Sequence, residues 1–154
     1  MDLGDLLEVS AIMPASKANS KKQLLQLLSE KAAGIAGISE REVFDTIVQR
    51  EKLGSTGVGN GIAIPHGKLP GVKRITGVFA RLETPVGFEA LDDQPVDLVF
   101  LLLAPEGAGA DHLKALSRIA RVLRDGDTTT KIRGTQDAAA IYTLLSQAPA
   151  SNAA

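Results

Sequence analysis

The sequence predicts a single α/β (α+β) domain. Its 154 residues are enough to bury one proper core. Stretches with helical spacing alternate with short apolar runs bounded by Gly, Pro and Asp, so helices interleave with a few strands. No internal repeat and no linker divides the chain.

Taken in order, Leu3 to Leu7 fits a short helix, and Val9 to Met13 a short strand closed by Pro14. Ser20-Lys21-Lys22-Gln23 is a capping-box pattern. Leu24, Leu27, Leu28 and Ala32 follow at helical spacing, which predicts a helix over 20–33 ending near Gly34. Ser39-Glu40-Arg41-Glu42 is a second capping box, and Val43, Phe44, Ile47 and Val48 carry that helix to about Lys52. Ile62-Ala63-Ile64 is too short for a helix and reads as a strand end. Pro70-Gly71 is a turn, Ile75 to Leu82 a strand, and Asp92-Asp93-Gln94-Pro95 a turn. Val96 to Leu103 is apolar except for Asp97, as suits a central strand covered on both faces. Asp111-His112-Leu113 opens a third long helix, with Leu113, Leu116, Ala120 and Leu123 on one face and Ile119 beside them. Asp125-Gly126 stops it. A short helix follows at Thr129–Arg133, and Asp137 to Gln147 is the last, with Ala138, Ile141, Leu144 and Leu145 inward. The domain is expected over residues 1–147, with 148–154 a frayed, disordered tail.

Composition narrows the function. Net charge is 17 − 18 = −1, and 44% of residues are hydrophobic, an ordinary balance for a globular protein. No basic tract interleaves with aromatics, which argues against a nucleic-acid partner. There is no cysteine, so thiol catalysis and thiolate metal sites are excluded. Two histidines make a zinc site a poor fit, and no metal is expected. The N-terminus Met1-Asp2-Leu3-Gly4-Asp5 is acidic, unlike a signal peptide. The most apolar run, Leu98 to Ala104, is too short to cross a bilayer. A cytoplasmic protein without membrane insertion is the expectation.

The chemistry concentrates in Arg50 to Lys68. Gly54, Gly57, Gly59 and Gly61 fall within eight residues, and Ile62-Ala63-Ile64-Pro65-His66-Gly67-Lys68 follows. Pro65 fixes its own φ and pushes Ile64 toward an extended conformation, so His66 is expected where a strand stops. Neutral imidazole is nucleophilic near pH 7, but a histidine is also a general base, a metal ligand or a core residue. Ser55 and Thr56 add hydroxyls and accessible N–H groups suited to phosphate. Arg50 adds a planar cationic fork matched to phosphate oxygens, although a cation in the last turn of a helix is favoured by the dipole alone. The nucleotide fingerprints fail: a P-loop ending at Gly67-Lys68 needs a glycine where Ile62 stands, and Leu69 replaces its hydroxyl. Gly57-x-Gly59 and Gly59-x-Gly61 lead to Ile62 and Ile64, not to a third glycine.

Arg50-Glu51, Gly54-Ser55-Thr56-Gly57 and Gly59-Asn60-Gly61 through Lys68 together resemble the active-site signature of the enzyme IIA proteins of the phosphoenolpyruvate phosphotransferase system. The closer resemblance is to the nitrogen-regulatory branch of the mannitol/fructose-type family, and it extends from the first helix to the last. The segment Pro105-Glu106-Gly107-Ala108-Gly109-Ala110-Asp111-His112, continued through Arg124-Asp125, looks like the same branch. The resemblance implies a mixed central β-sheet flanked by helices on both faces. It implies His66 as phosphoryl acceptor, His112 at a helix start beside it, and Arg50 near the phosphoryl group. Ser55 and Thr56 are assigned a supporting role, and Lys68 is either solvated or turned to an acidic partner.

The expected activity is reversible phosphoryl transfer from an HPr-like nitrogen-branch phosphocarrier. No cofactor is needed, because the donor is another protein's phosphohistidine. The resemblance implies regulated targets of potassium-transporter or sensor-kinase type. A sugar-specific IIA passing phosphate to a IIB domain is the second reading, and a binding module with an inert His66 is the third.

Overall fold

The computed structural model describes residues 2–147; the tail expected over 148–154 lies outside the described residues. In chain order the elements are two 3-10 turns (Leu3–Asp5, Val9–Ala11), β1 (Ile12–Ser16), α1 (Lys21–Ala36), α2 (Glu40–Lys52), β2 (Gly57–Gly59), β3 (Ile62–Ala63), β4 (His66–Leu69), β5 (Thr76–Val86), β6 (Val96–Pro105), α3 (Ala110–Arg124), α4 (Gly126–Arg133) and α5 (Ala138–Ser146).

Strand β6 is the axis of one mixed sheet. It pairs antiparallel with β5 along one side, and β5 in turn takes β1 as a parallel edge strand. Along its other side β6 meets two short parallel strands end to end. Ile62–Ala63 pair with Leu98–Val99, and His66–Leu69 with Leu102–Pro105. Leu98 to Ala104 are all buried, as the near-continuous apolar run requires of a strand covered on both faces. Phe79 of β5 and Phe100 of β6 meet edge to face at 6.2 Å.

Consecutive side chains on a strand point to opposite faces, and β4 uses this to separate two helices. A Cβ at Gly67 would lie 2.8 Å from Thr46 Cγ2, so that face is covered by α2. The His66 ring, on the other face, meets His112 of α3. Helices therefore lie on both faces of the sheet, and the site is on the face of α3.

Several element boundaries differ from the sequence expectation. Val9–Ala11 is a 3-10 turn, and β1 starts at Ile12 and runs through Pro14 to Ser16. An edge strand tolerates a missing N–H, and the β1–β5 register shifts between Met13 and Ser16. Helix α1 passes Gly34 and ends at Gly37, whose φ of 72° caps it and whose N–H donates to Ala33 O. An interior glycine costs a helix about 1 kcal/mol, too little to stop it when a better left-handed cap lies three residues on. Strand β5 continues past Leu82 to Val86, and α4 begins already at Gly126. In α3 the inward residues are His112, Ala115, Ile119, Val122 and Leu123, whereas Leu113 is 67% exposed. The helix is turned by about one residue from the face its leucines suggest, because the imidazole takes an inward position.

Gly77 is a close-approach position. A Cβ there would meet Phe100 Cε1 at 2.6 Å and Leu6 O at 3.0 Å. Gly77→Ala is expected to destabilise the fold by about 1–3 kcal/mol, as overpacking does in tight cores. Urea unfolding should show a lower midpoint with an unchanged slope.

Candidate active site

The site is assembled by a break in one strand. Pro65 has no N–H to donate, but its carbonyl accepts from Leu102 N at 2.9 Å, so the chain rejoins β6 at once. His66 thus opens β4 instead of following a strand's end. Just before it, the β2–β3 connection turns through Gly59, Asn60 and Gly61 at φ of 104°, 58° and 80°. Arg133 anchors that turn: Nη2 donates to Asn60 O at 2.8 Å and to Asp97 Oδ1 at 2.9 Å, and Nε donates to Asp97 Oδ2. A Cβ at Gly61 would sit 2.6 Å from Arg133 Nη2, so that glycine serves a close approach as well as a left-handed φ.

The His66 ring is half-buried, and its Nδ1 lies 2.8 Å from Ile64 O. A carbonyl only accepts, so in the neutral ring Nδ1 carries the proton and Nε2 carries the lone pair. The His112 ring is 5.7 Å away, edge-on at 66°. His112 is buried, and its Nε2 has no hydrogen-bond partner. A buried polar atom left unpaired costs about 1–3 kcal/mol, which is a reason to look for a ligand between the two rings.

Both imidazoles are held below the ordinary histidine pKa of 6.5. For His66 burial is the main cause. The Nδ1 bond to Ile64 opposes it, the nearby Arg50 cation adds to it, and the Glu51 carboxylate opposes it. For His112 burial again leads, followed by the His66 and Lys68 charges. Its place in the first turn of α3 also disfavours a cation there. Both rings are therefore neutral at pH 7.

The unfolded chain protonates these histidines near pH 6.5, before the folded chain does. Their contribution is therefore constant above about pH 6.5 and becomes destabilising as pH falls through and below that value. Thermal melts at pH 7.5 and 5.5 should show a loss at the lower pH that shrinks when His112 is replaced by Gln.

Arg50 sits in the last turn of α2, as expected, and Nη1 donates to Gly54 O at 2.9 Å. Ser55 and Thr56 are near the site, but their hydroxyls are already engaged. Ser55 Oγ donates to Phe88 O at 2.9 Å and accepts from Gly57 N at 3.1 Å. The Thr56 hydroxyl donates to Glu51, whose carboxylate also accepts the Thr56 amide at 3.2 Å. The Gly-Ser-Thr-Gly segment is thus a clamped loop in this structure, and not the open cradle of N–H groups that its composition suggests. Glu51, which the Arg50-Glu51 motif contains without a role of its own, is its central acceptor. Arg50 and Glu51 stand side by side in the sequence, but no spacing says that the carboxylate turns to Thr56. Lys68 is exposed, and its charge reaches His112.

One imidazole at a strand break thus faces a second at a helix start, a histidine-centred site on an α/β sheet. The family model described as phosphoenolpyruvate-dependent sugar phosphotransferase system, EIIA 2, matches residues 5–148, and the chain belongs to that family. A nitrogen regulatory protein of Bradyrhizobium diazoefficiens is 61% identical over 153 residues, covering 99% of this chain and 100% of the relative. The crystal structure of the nitrogen regulatory protein IIA-Ntr from Neisseria meningitidis superposes with a TM-score of 0.89 at 38% identity, over 93% of this chain and 98% of that one. Mannitol IIA of Escherichia coli shares the fold, with a TM-score of 0.75 at 24% identity over 90% and 97% of the two chains. The nitrogen-regulatory branch is thereby supported. The family is a phosphotransferase component, and no helix of the described residues is long and apolar enough to cross a membrane.

Proposed function

We propose that this protein is a phosphoryl carrier of the nitrogen phosphotransferase system. It takes a phosphoryl group from the phosphohistidine of an HPr-like nitrogen-branch carrier onto His66, and its phosphorylation state regulates partner proteins. The observation that carries this reading is the fixed polarity of the His66 ring. Nδ1 is committed to Ile64 O, which leaves the Nε2 lone pair as nucleophile. As the Nε2–P bond forms, the donor's N–P bond breaks and the donor ring leaves with the electron pair. Such a transfer depends on positioning and on charge stabilisation. Arg50 supplies the cation, and His112 offers an unpartnered ring nitrogen beside the incoming oxygens.

The surface around the site suits a protein donor. Leu53 is 86% exposed, Leu91 81%, Leu113 67% and Val58 54%. Leu53 adjoins Gly54, Leu91 N donates to Gly57 O, Val58 lies in β2, and Leu113 follows His112. Exposed apolar side chains gathered on site-bearing segments mark an interaction surface. The regulated partners proposed are of potassium-transporter or sensor-kinase type. The nitrogen regulatory names of the relatives support that branch over sugar uptake.

The test is incubation with phosphoenolpyruvate, the enzyme I that charges the carrier, and an HPr-type carrier. One acid-labile phosphoryl group on His66 is the expected product. Efficient onward transfer to a IIB protein would favour sugar uptake instead, and no uptake at all would leave a binding module.

A further inference from the structure

We propose that Glu51 is a positioning residue for phosphoryl transfer: its buried carboxylate holds the Gly54–Gly57 loop, and through it the Arg50 guanidinium, in register with His66. The inference rests on the phosphoryl-acceptor reading of His66 and adds a residue to it.

The Glu51 side chain is 5% exposed and lies 3.0 Å from Lys21 Nζ. Its carboxylate accepts both the amide and the hydroxyl of Thr56. A carboxylate this deep at the end of α2 is sustained because both of its oxygens have partners. Each neighbour of Thr56 is held in turn. Gly54 O takes the Arg50 guanidinium, Ser55 is tied to Phe88 O, and Gly57 O accepts from Leu91 N. Thr56 O accepts from Ile64 N at 3.0 Å, and Ile64 O is the group that orients His66. A continuous path therefore runs from Glu51 through Thr56 and Ile64 to the nucleophilic ring, and a second from the same loop through Gly54 to Arg50.

Charge balance explains why an anion is tolerated beside a site that receives a dianion. Lys21 neutralises Glu51 and is itself set 4.5 Å over the Phe88 ring, with Glu89 as a second, exposed partner at 3.3 Å. The groups whose charges act on His66 are Arg50 and Glu51, of opposite sign; His112 and Lys68 are coupled on the α3 side.

The experiment compares Glu51→Ala, Glu51→Gln and Thr56→Val for phosphoryl transfer from a phosphorylated HPr-type carrier. Glu51→Ala should lower kcat on the order of 10- to 100-fold, the cost of a small misplacement at the reacting centre, with KM for the carrier nearly unchanged. Glu51→Gln preserves acceptor and donor for Thr56 and should recover most of the rate. In the unphosphorylated Glu51→Gln protein, NMR should show the His66 titration moved to lower pH, because the carboxylate that opposes the shift is gone. If Glu51→Ala does not fold, Thr56→Val carries the same prediction for kcat at smaller size. A wild-type kcat in Glu51→Ala, or in Thr56→Val where that variant stands in, would overturn the proposal, as would a loss confined to KM. If the wild-type protein takes no phosphate, the carrier reading fails, while the titration still decides whether Glu51 acts on the ring.

Discussion

Replacing His66 by alanine should abolish acid-labile phosphate uptake while leaving the fold intact. On the proposed reading the ring supplies the nucleophile, and His112, buried in the first turn of α3, does not stand in for it. The protein has only these two histidines, so the assay has no background from other imidazoles. His66 is half-buried at a strand start, and its hydrogen bond to Ile64 O is a local one. Its removal should cost little stability, about 1 kcal/mol, the net worth of one hydrogen bond. The measurement is phosphate incorporation at saturating phosphorylated carrier, beside a thermal melt. Retained incorporation in a folded His66→Ala protein would remove the acceptor assignment.

Arg50→Ala should slow transfer by roughly 10²- to 10³-fold, the usual cost of removing a preorganised charge from a transition state that gathers negative charge. Arg50→Lys should recover only part of it, because an ammonium lacks the planar fork that grips two phosphoryl oxygens. If the guanidinium acts on the transferred group as proposed, and not on the carrier's docking face, the loss should fall on kcat. Arg50 also ties Gly54 O, so the alanine variant must be shown to melt as the wild type does. A folded Arg50→Ala protein with unchanged kcat would return the side chain to its helix-dipole role in the last turn of α2. His112→Ala should give a smaller loss, and a rate equal to wild type would make it a structural histidine.

The α/β class, both long N-terminal helices, the buried central strand and the glycine-rich approach to His66 were legible because each rests on local chemistry. Ser20 and Ser39 do accept from Gln23 N and Glu42 N. Val96 to Leu103 reads as a covered strand because nothing polar but Asp97 interrupts it. The boundary at Gly34 and the inward face of α3 were not legible. Gly34 and Gly37 are alike by composition, and only the chain beyond decides which one takes the left-handed φ. The apolar spacing of α3 points Leu113 inward and says nothing of the burial of His112. Its burial became visible only with β4 placed beside α3.

The sequence by itself determined the α/β class, the long helices and the covered central strand, and it pointed to the glycine-rich approach to His66. Capping, side-chain periodicity and the backbone limits of Gly and Pro act over a few residues. Tertiary structure alone decided the rest: that Ile62–Ala63 and His66–Leu69 both dock on β6, that the two imidazoles face each other at 5.7 Å, and that a buried Glu51 occupies the Thr56 hydroxyl and amide that a bound phosphate was expected to use. Those facts depend on hydrogen bonds and packing between residues dozens of positions apart, or on which of several local partners a burial environment favours. No spacing in the chain encodes that choice.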